Sequence, residues 1–79
     1  MAKTGIISKR LKGLMAENDM TNAELAKKLG ISPRALTRRI NGDTGWMFNE
    51  ISLVTKLFGF SEVRIVFPEL YNAVEERII

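Results

Sequence analysis

The sequence predicts a small all-α domain, and three observations carry that prediction. Apolar residues recur at intervals of three and four along most of the chain, the period that gathers them on one face of a helix. Helix-starting and helix-stopping residues punctuate these stripes, with Thr21 and Glu24, then Ser32 and Pro33, as starts and Gly30, Gly42 and Gly59 as stops. The chain has 79 residues without one cysteine or histidine. A domain of that size has a thin core, and disulfides and thiolate metal sites are excluded. Its stability has to come from close helix packing or from a second chain.

Each element has its own signature. Ile7, Leu11, Leu14 and Met15 make an amphipathic stripe over 5–18, with Lys9, Arg10, Lys12 and Glu17 on the polar side. Asn18-Asp19-Met20 breaks the period and predicts a turn. Thr21 and Glu24 form a capping box for a helix over 21–29, and Met20 and Leu25 have the spacing of a hydrophobic staple. Gly30 stops that helix by adopting the left-handed conformation at low steric cost. Ser32 as N-cap and Pro33 at the first helical position restart it at once. This next helix, over 32–41, buries Leu36 and Ile40 and ends at Asn41-Gly42. Ile51, Val54, Leu57 and Phe58 predict a fourth helix that stops at Gly59; Met47 or Asn49 caps it, asparagine being the better cap. Residues 61–66 read as a short helix, although Val63, Ile65 and Phe67 alternate as a strand would. Pro68 can start a last helix carrying Leu70, Tyr71, Val74 and Ile78 on one face. Residues 1–67 are thus read as the domain and 68–79 as a C-terminal extension, helical or briefly a strand.

Charge divides the chain. The net charge is +3, but residues 1–42 carry nine basic against three acidic side chains, a balance of +6, and residues 43–79 carry three against six, a balance of −3. All six aromatic residues, from Trp46 to Tyr71, lie in the second part. A basic part without aromatics suits a polyanion, and an acidic, aromatic part suits core completion or a protein contact. Catalysis is not expected: the four serines have no histidine to activate them, and the adjacent Glu75 and Glu76 cannot face each other on a helix. Asn41-Gly42-Asp43-Thr44-Gly45 lacks the Gly-Lys-Ser/Thr ending of a phosphate loop. No cofactor, metal or small-molecule ligand is expected. Membrane partners are not expected either, because no apolar run approaches the roughly 20 residues of a spanning helix. Polar residues Ser8, Lys9, Arg10 and Lys12 interrupt the N-terminal apolar positions, so a secretory signal is not expected and the predicted location is intracellular.

Two short helices joined by only Gly30-Ile31 are the sequence form of a helix-turn-helix. The turn is too short for an antiparallel hairpin, so the second helix should leave at a steep angle. It can then protrude into a major groove about 12 Å wide. Residues 21–42, from Thr21-Asn22-Ala23-Glu24 through Ile40-Asn41-Gly42, resemble the helix-turn-helix of the Cro/lambda-repressor class. Glu50-Ile51 and Leu57-Phe58-Gly59 resemble the fourth helix of that five-helix fold, and the resemblance extends over about 5–67. The segment from Ile40 through Trp46 to Ile51 is most similar to small single-domain phage and prophage regulators. Arg39 departs from the pattern, standing where many members have an aliphatic residue, and the tail after Pro68 matches no family pattern.

The resemblance implies a sequence-specific DNA-binding regulator of Cro-like, repressor type, working on a double-stranded operator in a bacterial cytoplasm. It implies that Pro33, Arg34, Thr37 and Arg38 face base edges, with Arg34 and Arg38 pairing with guanine. It further implies that Asn22, Lys28, Arg39 and Asn41 hold phosphates, Asn22 beside the N-terminus of the 21–29 helix. Members of the class usually bind two half-sites as dimers. The apolar residues left for pairing are Phe67, Leu70, Tyr71, Val74 and Ile78, unless the tail folds back over its own core. The competing expectation is an antitoxin or antirepressor on the same fold, holding a protein partner with the acidic part.

Overall fold

A computed structural model describes residues 5–71 of the chain, and the described residues contain helices and no strand. The order is α1 (Lys9–Glu17), α2 (Asn22–Leu29), α3 (Pro33–Ile40), α4 (Phe48–Leu57) and α5 (Val63–Val66), with helical residues again at 68–71. Helix α2 packs most extensively on α3, α1 packs on α3 and α5, and α4 packs on α2 and α5.

The α2–α3 unit forms for the local reasons its sequence contains. The Thr21 hydroxyl accepts from the Glu24 N–H at 3.1 Å, and the Glu24 carboxylate accepts from the Thr21 N–H at 3.1 Å. Gly30 ends α2 at φ +73°, with the Ile31 N–H donating to the Ala26 carbonyl. Ser32 then caps α3 by accepting from the Ala35 N–H at 3.1 Å, and Pro33 occupies the first turn. Leu25, Ala26, Leu36 and Ile40 turn inward from this pair.

Helix α1 is shorter at its start than its apolar stripe predicts. Residues 5–8 run non-helically along the end of α3. The Gly5 N–H donates to the Gly42 carbonyl, and the Ser8 N–H donates to the Ile40 carbonyl. Gly42 makes this approach possible: its φ is +82°, and a Cβ there would lie 3.0 Å from the Ile6 carbonyl carbon and oxygen. Ser8 is fully buried, and its hydroxyl accepts from the Trp46 indole N–H at 3.0 Å.

Helix α4 starts at Phe48 with Met47 as its N-cap, so Asn49 is not the cap. The Glu50 carboxylate reaches back to the Met47 N–H at 2.9 Å, supplying from the third position what methionine cannot supply itself. The segment after Gly59 resolves as the short helix α5 despite its strand-like alternation. Val66 and Phe67 are fully buried, and the Phe67 ring meets Trp46 edge to face, with centroids 5.1 Å apart. Residues 69 and 70 lie against their own domain: Leu70 packs against the core, and Glu69 accepts from the Arg10 N–H at 3.0 Å, capping the first turn of α1.

Candidate nucleic-acid interface

Helix α3 has one buried edge and one basic face. Leu36 and Ile40 hold the edge, while Pro33, Arg34, Thr37 and Arg38 are all exposed. Positions 33 and 37, 34 and 37, and 34 and 38 are neighbours on the helix surface because they are three or four residues apart. The helix carries three arginines and no acidic side chain. Among the described residues neither Arg34 nor Arg38 forms an ion pair, so both guanidinium groups project with their donors available. Each can present the paired N–H fork that matches two acceptors in one plane.

Beside this face, α1, α2 and the end of α3 enclose a cleft of about 330 Å³ lined by Lys12, Met15, Asn22, Thr37, Ile40 and Asn41. The Nδ2 of Asn22 donates to the Thr37 hydroxyl at 2.6 Å, and the Oδ1 of Asn22 is buried without a partner. Asn22 and Asn41, each expected at a phosphate, both line this cleft. Lys12 joins them, and sequence reasoning did not single it out. Its only local signal is its position in the basic part; which side of α1 meets α3 is settled by packing.

Lys28 is exposed in the last turn of α2 and does not line that cleft. The Glu24 carboxyl is held below its ordinary range by the Thr21 backbone N–H first and by the Thr21 hydroxyl second; desolvation opposes them, and the Lys28 charge adds the smallest downward effect. The capping box therefore keeps a carboxylate at the N-terminal end of α2.

Two expectations are corrected by the geometry. Arg39 was expected to hold a phosphate, but its Nε donates to the Glu50 carboxylate at 2.8 Å and its Nη1 to the Ala35 carbonyl at 3.3 Å. Side-chain exposures of 17% for Arg39 and 9% for Glu50 make this a largely interior pair that ties α3 to α4. Phe67 was expected at an interface between chains, yet it is a fully buried core residue of its own domain. Leu70 is half-buried, Tyr71 is 43% exposed beneath the Arg64 guanidinium, and Val74 and Ile78 lie outside the described residues.

A family model described as helix-turn-helix, of lambda-repressor/Cro type, matches residues 11–63, which includes α2, α3 and α4 entire. The chain belongs to this helix-turn-helix family. No curated relative and no solved structure matches it. Membership makes this helix-turn-helix protein a DNA-binding regulator by family, and the family is a regulatory rather than a typically enzymatic one. No helix among the described residues is long and apolar enough to cross a membrane.

Proposed function

We propose that the protein is a small Cro-like repressor that inserts α3 into the major groove of an operator. Arg34 and Arg38 read guanines there, with Pro33 and Thr37 packed against the neighbouring base edges. Asn22 and Asn41, together with Lys12 at the same cleft, hold the phosphate backbone on one side, and Lys28 holds it on the other. The observation that carries this reading is the division among the three arginines of α3. Arg39 is tied inside the protein, whereas Arg34 and Arg38 are exposed and have no ion-pair partner among the described residues. A merely solvated helix face gives no reason for two adjacent unpaired cations beside a cleft of further donors. The site of action is then chromosomal or phage DNA in a bacterial cytoplasm.

A single helix-turn-helix reads few base pairs, so the proposal includes a homodimer on two half-sites about one helical turn apart. The apolar surface that supports it is a groove lined by Phe48, Ile51, Val63, Leu70 and Tyr71, on the acidic and aromatic part of the chain. Phe48 is 84% exposed at its edge. A two-fold axis lets the Phe48 ring of each protomer enter the groove of the other, which is the self-complementarity such an interface requires. The same groove is the observation that favours the competing reading, a module that binds another protein.

Selection of bound duplexes from a random DNA library tests the proposal. Enriched sites should contain two related half-sites with guanines. Arg34→Ala and Arg38→Ala should each weaken the enriched site by about 1–3 kcal/mol and relax one base pair, while Lys28→Ala weakens all sequences alike. No enrichment, with affinity for DNA flat between about 50 and 200 mM salt, refutes the repressor reading in favour of the protein-binding one.

A further inference from the structure

Thr37 lies in the middle of the exposed face of α3, one turn from Arg34 and next to Arg38. A threonine so placed would ordinarily be credited with a hydrogen bond from its hydroxyl to a base. Here the hydroxyl is already engaged. It donates to the Pro33 carbonyl at 3.0 Å and accepts from the Nδ2 of Asn22 at 2.6 Å. A hydroxyl has one proton and two lone pairs, so the proton is used and a single lone pair is left. Fixing Oγ1 also fixes the methyl group, because both are carried on Cβ and turn together about χ1. The residue is nonetheless exposed. With its oxygen held by protein groups on two sides, the methyl is the part of this exposed side chain that no hydrogen bond engages.

We propose that Thr37 reads thymine, through contact of its methyl group with the thymine C5 methyl in the major groove. This inference rests on the DNA-binding reading given above. Thymine is the one base with a methyl group on that edge, and apolar contact needs neither a free donor nor a free acceptor. The base preference of the helix is then set by three residues with two chemistries: guanidinium forks from Arg34 and Arg38 for guanine, and a methyl group from Thr37 for a thymine beside them. Asn22 contributes by holding the hydroxyl from another helix, an arrangement that no local pattern within α3 encodes.

The test uses the intact 79-residue chain and the sites it enriches from a random duplex library. Each thymine of the site is replaced in turn by uracil, which lacks only the methyl group. Affinities are measured for the native protein, for Thr37→Ser, which keeps the hydroxyl and loses the methyl, and for Thr37→Val, which does the reverse. At one thymine in each half-site, uracil should weaken the native and valine proteins about four-fold, the worth of one buried CH2-sized group. The serine variant should not distinguish the two bases there. If no thymine is sensitive, or if the serine variant keeps the preference and the valine variant loses it, the methyl contact is refuted. Enrichment without uracil sensitivity overturns this inference alone; no enrichment at all overturns the DNA-binding reading and this inference with it.

Discussion

Glu50→Ala is the substitution whose effect the structure defines most sharply. The Glu50 carboxylate accepts from the Arg39 Nε at 2.8 Å and from the Met47 N–H at 2.9 Å. Alanine leaves a guanidinium at 17% exposure without its counter-charge and removes the group that caps α4. Breaking a buried pair from one side costs about 3–5 kcal/mol, because the remaining charge stays desolvated. The residual exposure of Arg39 admits some water, so the lower end, about 3 kcal/mol, is expected. For a domain of this size each kcal/mol moves Tm by roughly 4–8 °C, so the melting temperature should fall by at least about 12 °C. Arg39→Met with Glu50→Leu removes both charges and replaces them with apolar groups. That pair of changes should cost well under the sum of the single changes, with a coupling of at least about 1.5 kcal/mol in a double-mutant cycle. Urea unfolding followed by circular dichroism, with Trp46 fluorescence as a second probe, measures Glu50→Ala together with the native protein, the two single variants and the double variant of the cycle. Single-variant losses below about 1 kcal/mol, typical of an exposed pair, would refute the interior lock. The DNA arm is equally decisive. Removing one phosphate contact lowers the slope of log affinity against log salt by about 0.9, so an unchanged slope in the double variant is expected and a fall of that size would return Arg39 to the DNA surface.

Gly42→Ala should destabilise the fold by more than Gly30→Ala, because both have positive φ but only Gly42 has backbone atoms 3.0 Å from the added Cβ; strain of about 1–3 kcal/mol is expected at Gly42, and equal losses in urea unfolding would show that the 5–8 segment yields freely. Glu24 is held below its ordinary pKa by Thr21, so its contribution to stability is full above the unfolded value of 4.5 and is lost as pH falls through the lower folded value; Glu24→Gln should flatten that acid limb in melts from about pH 6 to about pH 3, and an unaltered limb contradicts the capping assignment. Phe48→Ser should leave stability within about 0.5 kcal/mol while weakening self-association in sedimentation, and native-like association of the variant removes the groove as the dimer face.

The sequence by itself determined the helix-turn-helix. Thr21, Glu24, Gly30, Ser32 and Pro33 act on backbone groups within four residues, so their outcome depends little on the rest of the chain. The exposed set Pro33, Arg34, Thr37 and Arg38 was legible for a related reason: Leu36 and Ile40 had to face inward, and helical geometry then places the others. Tertiary structure decided what depends on distant partners. The apolar stripe from Ile7 promised an earlier start to α1, but the carbonyls of Ile40 and Gly42 drew the backbone of residues 5–8 into bonds with α3. The alternation of Val63, Ile65 and Phe67 allowed a strand, but no other strand is present among the described residues to pair with it, and the core takes Val66 and Phe67 from a helical turn. The Arg39–Glu50 pair and the Asn22–Thr37 bond are set across helices, between residues 11 and 15 positions apart in the sequence, and so is the place of Lys12 at the cleft. Local patterns specify which way a side chain points on its own helix; only packing specifies which group it meets there.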